Sequence, residues 1–481
     1  MLITLILITP FVASLLSILV QKKEGMGILN FLAIAASVVE FIVGVAIAAA
    51  VVKNGSYSLD GLFSVDALGA ILVLILVTVG AMVSWYSTGY LKAEVAKEII
   101  GFHRVRQYFV LLHLFLLAMF FAIMTVSPIF MWIAIEATTL STAFLISFYH
   151  KPSALEAAWK YLIINSVGLL LGFLGTLLFL YPAIQAGFRG LSSWQALLGQ
   201  AASLDPAIAK IAFIFVMVGY GTKVGLVPMH TWLPDAHSKA PSPISSLLSG
   251  MLLNVAFLAV LRFKQLADAA VGVSFSQNIL IFFGIISIIV AAFIIFGQKN
   301  YKRLLAYSSI EHMGIISLGF GFGGAAAFAG LLHMIYHSLA KSILFLSAGN
   351  ILLTFSSTKI KKVKGVISVL PVTAVLFMIG FLAITGVPPF GIFITEFSIV
   401  SVGIHTYPVV TIIALFALTL VFVGFLRHVV GMIFADNPKT MVKEKAVSIV
   451  PIMILVFILI ALSVFIPPAI HTLITAATSA Y

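Results

Sequence analysis

Apolar residues run through this chain in long blocks, parted by short joints that carry lysine, arginine, glycine or proline. Most blocks exceed the roughly 20 residues that a helix needs to cross a bilayer. Few alternate in the strict period of two that a membrane barrel would need throughout. Lipid offers no partner for free backbone groups, so the spans are expected to be helices. The pattern predicts fourteen, at 2–20, 27–51, 66–88, 107–125, 128–149, 154–181, 207–240, 242–262, 276–298, 302–321, 325–353, 365–402, 406–434 and 446–471. Two of these are too long for one straight crossing. Residues 207–240 would make roughly 50 Å of helix and 365–402 roughly 55 Å, against about 30 Å of hydrocarbon. Each carries a break near its middle, "GLVP" at 225–228 and "GVPPFG" at 386–391, where proline removes a ladder hydrogen bond and clashes with the preceding turn.

The broken segments are the seventh and twelfth predicted helices, five apart. That spacing suggests two five-helix repeats, helices 4–8 and 9–13, with the second inverted because five is odd. The chain then divides into helices 1–3 (1–106), a first repeat (107–265), a second repeat (276–434) and a last helix (446–481). Proline- or glycine-interrupted spans at matching places in two halves point to an ion or substrate site.

Composition agrees with an all-α polytopic membrane protein. Of 481 residues, 62% are hydrophobic and 9% charged, with a mean hydropathy of +1.21, whereas soluble domains are nearer a quarter charged. The first apolar block has no basic residue before it and no small-residue cleavage site, so it is expected to remain as a helix. The net charge of +12 is better read as a membrane signature than as a nucleic-acid one. With the N-terminus outside, Lys22, Lys23, Lys92, Lys97, Arg104, Arg106, Lys151, Lys239, Lys299, Lys302, Arg303 and the later basic loops fall inside. Only Lys53, Arg189, Arg262 and Lys264 fall in outside loops. Both termini are then expected outside. Cysteine is absent, which excludes disulfides, thiolate-held iron–sulfur clusters and cysteine-ligated zinc from this chain.

A charge at mid-bilayer costs about 2.5–3.5 kcal/mol on the gentlest scale, so each one needs pairing, water or a function. Glu136 lies in "MWIAIEATTLSTAF", followed by hydroxyls at Thr138, Thr139, Ser141 and Thr142. Lys160 lies just inside the sixth helix, and Lys223 just before the first break. Opposite charges within about 4–6 Å would keep Glu136 ionised and Lys223 protonated, and their separation would loosen the lysine's proton. His230, Asp235 and His237 follow the break as a candidate proton entrance. Glu311 and His312 sit mid-helix in "LLAYSSIEHMG". His333, His337 and Lys341 recur at i, i+4 and i+8 on one stripe, rising roughly 6 Å per step, and Glu396 follows the second break. Glu40, inside the second helix, fits a packed neighbour and a partner contact equally well. "GFGFGG" at 319–324 follows a helix rather than a strand and is read as a turn. No P-loop, zinc-binding histidine pair or nucleophile triad occurs, so the chain shows no redox or hydrolytic centre of its own.

"KVGLVPMHTWLPDAHSKAPSPISSLLSG" (223–250) resembles the antiporter-like membrane subunits of respiratory complex I, with relatives in Mrp-type antiporters and energy-converting NiFe hydrogenases. "AAWKYLIINSVG", "KRLLAYSSIEHMG", "HSLAKSILFLSAGN" and "ITGVPPFGIFITEF" extend the likeness over nearly the whole chain. The resemblance implies a fourteen-helix fold with inverted repeats. It implies that Glu136, Lys223, His337, Lys341 and Glu396 match the ion-translocating positions. Asn254 departs from the pattern, standing where many relatives have lysine. The "SSIEHMG" form looks most like the hydrogenase-4 and membrane-bound hydrogenase branch.

The function expected is therefore proton or cation translocation within a respiratory redox complex, through Glu136, Lys160, Lys223, His230, Glu311, His312, His333, His337, Lys341 and Glu396. No cofactor is expected in this chain; a NiFe centre and Fe–S clusters belong to partner subunits, both membrane and peripheral. Nucleic acid is not expected as a partner. Protons are the expected cargo, with sodium left open. The alternatives are an Mrp-type Na⁺/H⁺ antiporter subunit or a complex I antiporter-like subunit, and, from another class, a solute transporter with a midplane pocket. The compartment expected is the prokaryotic plasma membrane.

Overall fold

A computed structural model describes residues 1–185, 193–436 and 440–481. Arg189 and Lys439, counted among the loop charges, lie outside the described residues. The helices are α1 (Leu2–Leu19), α2 (Met26–Asn54), α3 (Ala67–Ala96), α4 (Phe102–Met124), α5 (Pro128–Ile146), α6 (Pro152–Gln185), α7 (Trp194–Gln200), α8 (Pro206–Val224), α9 (Trp232–Lys239) and α10 (Ser242–Leu247). They continue as α11 (Leu253–Val271), α12 (Val273–Phe296), α13 (Tyr301–Phe322), α14 (Ala325–Phe355), α15 (Val366–Val369), α16 (Pro371–Ile384), α17 (Gly391–Thr406), α18 (Pro408–Ile433), α19 (Ala446–Val464) and α20 (Pro468–Thr478). Among the described residues, 12 helices are long and apolar enough to cross a membrane. The two shorter apolar helices, Pro371–Ile384 and Gly391–Thr406, are the arms of the second break.

The alternation of the crossings is fixed by bonds between distant loops. On one face, Val126 N donates to Leu62 O, Trp194 N to Val126 O, and Gly324 N to Tyr481 O. On the opposite, lysine-rich face, Ile360 N donates to Lys299 O and Tyr301 N to Thr358 O. A short hairpin, β1 (Tyr57–Leu59) and β2 (Phe63–Val65), stiffens the first of these faces.

Burial sorts the spans. Over an 18-residue apolar stretch of each span, Ser242–Val271 is wholly buried and α3 and α14 are 83% buried, whereas Leu2–Leu19, α18 and α19 are 33% buried. The first group is the core of the bundle, and the second is its lipid-facing rim. Close crossings depend on glycine. Gly172 and Gly219 bring the backbones of α6 and α8 together, and Gly284 and Gly314 do the same for α12 and α13, as small residues do at membrane helix interfaces.

Several expectations are corrected. The third helix runs on to Ala96 and the eighth to Val271, so Arg262 and Lys264 lie on α11 rather than in a loop. Each has a carboxylate partner: Arg262 pairs with Asp66, and Lys264 Nζ lies 2.5 Å from Asp268. The last apolar block is two helices, because Pro467 and Pro468 follow α19 and proline cannot continue the ladder. A π-turn at Leu248–Leu252, joining α10 to α11, and the short helix α7 have no counterpart in the pattern reading.

Candidate functional site

Both long segments break with the same local structure. Helix α8 ends two residues after Lys223 at Gly225, which is left-handed at φ +83°, and Leu226 N reaches back to Gly221 O. Helix α16 ends before Gly386, at φ +64°, and Val387 N reaches back to Leu382 O. This is the glycine-closed helix end in which the next amide captures a carbonyl five residues earlier. Three residues after each glycine stands a cis proline, Pro228 or Pro389. At each break the chain thus recaptures part of the carbonyls that the helix end frees, and at the first Trp232 Nε1 adds a bond to Thr222 O at 2.8 Å.

Lys223 is fully buried. Its ammonium donates to Thr139 Oγ1 at 2.8 Å and to Tyr161 OH at 2.7 Å, and stands 4.7 Å from the Tyr161 ring centre. Thr139 in turn donates to Glu136 Oε2 at 3.3 Å, while Ser166 donates to Glu136 Oε1 at 2.7 Å. Glu136 and Lys223 are therefore joined through one hydroxyl and not by the direct ion pair that opposite charges on neighbouring helices suggested. A hydroxyl both donates and accepts, so Thr139 can pass a proton between them without either side chain moving far.

Lys160 stands apart from this buried line. Its side chain is 48% exposed and pairs with Glu156 at 2.6 Å and Asp235 at 3.5 Å. Asp235 also pairs with Arg303, which ties α6 and α9 to the start of α13. His230 is buried with its ring edge-on to Tyr307, 6.1 Å between centres. His237 is fully buried, stacked on Phe345 at 5.0 Å, and neither ring nitrogen has a partner among the described residues.

The second cluster gathers Glu311, His312, His333, His337, Lys341 and Glu396. His312 Nδ1 and His333 Nε2 share a hydrogen bond of 2.9 Å, and His333 Nδ1 shares another of 2.9 Å with Thr395 Oγ1. Glu311 Oε2 lies 3.6 Å from His312 Nε2. The His337 ring lies 5.3 Å from that of His312, tilted 35° to it. Lys341 Nζ donates to Leu305 O at 2.9 Å. Glu396 folds its carboxylate onto the second break, where any side chain at Gly386 would strike Oε2. Asn254, at the position of doubt, donates to Ser338 Oγ at 2.8 Å and so bonds α11 to α14.

By residue type, His312, His333 and Glu396 could hold a metal, since one ligand atom from each lies within 4.8 Å of the others. The geometry argues for proton sharing. The ring centres are 5.1 Å apart, about the nitrogen gap plus one ring radius on each side. The two nitrogens therefore point at each other, and a metal needs their lone pairs to converge on a third point. Glu40 is isolated from both clusters, buried in α2 with Oε1 unpartnered among the described residues.

Pattern reading missed the supporting polar groups, Thr139 apart: Tyr161, Ser166 and Thr395 are ordinary residues in sequence. It also missed Glu94 and Lys302, 3% and 0% exposed, because both sit at helix ends where charge is usually solvated.

Residues 125–422 match the family described as "NADH:quinone oxidoreductase/Mrp antiporter, TM". A hydrogenase-4 component F homolog of Methylacidiphilum infernorum is 42% identical over 342 residues, 70% of this chain and 72% of that protein. Hydrogenase-4 component B of Escherichia coli is 28% identical over 69% of this chain, and this chain spans about half of that longer relative, 49%. A chain of the membrane-bound sulfane sulfur reductase, an archaeal respiratory membrane complex, superposes with a TM-score of 0.87 at 23% identity, covering 100% of this chain and 96% of the other.

Proposed function

The chain belongs to the NADH:quinone oxidoreductase/Mrp antiporter membrane family and is a multi-pass, proton-translocating, antiporter-like subunit of a respiratory complex; we propose that this complex is an energy-converting hydrogenase or a relative. The likeness to hydrogenase-4 components supports that choice. In this reading the NiFe centre and Fe–S clusters belong to partner subunits, and this chain converts their redox energy into ion movement. The membrane is the prokaryotic plasma membrane, with both termini outside. Helix α13 and the α16–α17 pair add two crossings, making fourteen. Residues 107–265 and 276–434 form the inverted repeats between helices 1–3 (1–106) and a C-terminal part (446–481).

The observation that carries the reading is the bond chain Glu136–Thr139–Lys223 at the first break. A buried ammonium held by neutral hydroxyls is stabilised less than one held by a carboxylate. Any change that brings negative charge closer tightens its proton, and any that withdraws it loosens the proton. Glu136 is the group placed to make that change. The His312–His333 pair, bracketed by Glu311 and Glu396, is the matching element in the second half. Histidine suits proton exchange because its ordinary pKa lies near neutrality. Lys160 and the Asp235–Arg303 pair serve as an outer charged latch rather than as part of the buried line.

Lys223→Ala should abolish redox-driven ion translocation in inverted membrane vesicles while the complex still assembles, and Lys223→Arg should not restore it. Undiminished translocation by Lys223→Ala would falsify the assignment. The Mrp-type alternative is separated by what co-purifies from gently solubilised membranes: hydrogenase-type redox subunits, or small membrane proteins alone.

A further inference from the structure

Glu94 lies one turn from the lysine-rich end of α3, where water is close, yet it is 3% exposed. Tyr149 OH donates to its Oε1 at 2.5 Å, and Tyr90 OH lies 3.2 Å from Tyr149 OH. Its other oxygen, Oε2, has no partner among the described residues. Tyr149 is only partly buried, so it covers the carboxyl from the surface. Across from it, α3 packs on α10 and α14.

Lys302, in the first turn of α13, is fully buried. Its Nζ donates to Ala240 O at 2.6 Å, which leaves two of its three N–H groups for other acceptors. Tyr90 stacks on Tyr86, whose OH donates to Leu346 O of α14, and Tyr301, next to Lys302, donates to Ala348 O of the same turn, so Glu94 and Lys302 flank one stretch of α14. The carbonyl that Lys302 holds, at Ala240, lies one turn after His237, which is fully buried, with both ring nitrogens unpartnered among the described residues and its ring stacked on Phe345, one turn after Lys341 on α14. Lys341 is the mid-membrane lysine of the second cluster.

A static ion pair accounts poorly for this row. Buried charges are costly unless their remaining hydrogen-bonding groups are also filled, and here a carboxylate oxygen and a whole imidazole have no partner among the described residues. Unfilled buried polar atoms are the sites where internal water settles. None of these groups belongs to the Glu136–Lys223 line or to the His312–His333 pair.

We propose that Glu94, Lys302 and His237 form a proton route from the lysine-rich face to Lys341, entering beneath Tyr149 along α3. It rests on the reading of Lys341 as part of the translocating line, and it supplies that line with a source separate from the Glu136–Lys223 pair. Each hop transfers one proton. The donor's O–H or N–H breaks as an O–H or N–H forms on the acceptor, bridging water included; Lys302 passes its proton on before it takes the next, and the groups return to their starting state when the next proton enters at Glu94. No oxidant or reductant is consumed.

The test uses the assembled complex in inverted membrane vesicles, energised by the electron donor that supports its turnover. Proton uptake is normalised to electron flow and to complex resolved on a native gel. Glu94→Gln and His237→Phe should each lower proton uptake per electron about tenfold or more, and Glu94→Asp should recover most of it. The His237→Phe substitution keeps the stack on Phe345, so it decides the matter even if Glu94→Gln fails to assemble. Full proton uptake per electron in assembled His237→Phe, alongside its loss in Lys223→Ala, overturns this route and leaves the proposed function standing. Full uptake in Lys223→Ala overturns the proposed function instead.

Discussion

The break after Gly225 and the break after Gly386 share a left-handed glycine, a recaptured carbonyl and a cis proline three residues on, but they are furnished differently. At the first, a single lysine is held by two hydroxyls, with its carboxylate one hydroxyl further away. At the second, two histidines share a proton position between them, and the carboxylate lies on the break itself. The first arrangement has one ammonium whose proton depends on where Glu136 sits. The second spreads its proton-binding sites over several groups, so losing one partner there disturbs less. The backbone device is thus reusable, and the side chains around it set how sharply the site responds.

The glycine crossings give the largest expected difference between halves. In Gly219→Ala the new Cβ would fall on the Gly172 backbone nitrogen and Cα, which cannot turn aside. The cost should exceed the about 1–3 kcal/mol usual for overpacking, and size-exclusion chromatography should show little folded protein. In Gly314→Ala the Cβ would meet Gly284 O at 2.8 Å and Ile288 Cγ1 at 2.9 Å. There the backbone is approached less closely than the 2.2 Å at Gly219 and the isoleucine can turn aside, so a reduced but measurable yield is expected. Equal yields would mean that the two crossings are equally tolerant.

The hydroxyl bridges come next. Thr139→Val removes the one link between Lys223 and Glu136 and leaves a buried ammonium short of an acceptor, a loss of about 1–3 kcal/mol. Ion translocation should fall roughly tenfold or more, with assembly retained. Thr395→Val takes one partner from His333, which keeps His312, so its loss of translocation should be several times smaller. A larger effect at Thr395 would reverse the comparison.

The smallest effect lies outside the spans. Burial alone would raise the Asp66 carboxyl, but the Arg262 guanidinium, with bonds of 2.6 and 2.8 Å, and the Gly69 amide hold it below its ordinary value of 3.8. A depressed carboxylate stabilises the fold above its unfolded pKa, and that stabilisation is lost as pH falls through the folded value. Asp66→Asn should therefore lower the melting temperature in detergent slightly at pH 7, and the gap from the native protein should close below about pH 4. A gap unchanged with pH would show that the pair contributes nothing electrostatic.

Much of the fold was legible because a bilayer demands long apolar runs, and prolines and glycines mark their ends. Both breaks were read from "GLVP" and "GVPPFG", and the ionisable groups within α5, α8, α13, α14 and α17 stood out because charge is rare in such runs. What misled was charge near helix ends. Lys160 sits one or two turns inside α6, as Lys302 sits at the start of α13, yet the first is half exposed and the second fully buried. Nothing local separates them; the difference is which neighbours cover each helix end.

Taken by itself, the sequence determined that this chain crosses a membrane repeatedly as helices, where two of them must break, and which ionisable residues are too costly to be idle. Those follow from hydropathy, proline geometry and the penalty on charge in lipid, all of which act along the chain. The tertiary structure decided who touches whom: that Thr139 stands between Glu136 and Lys223 and that His312 meets His333 across two helices; it also decided that Glu94, Lys302 and His237 are buried. Such contacts depend on helix rotation and packing between segments far apart in sequence, and no local pattern encodes them.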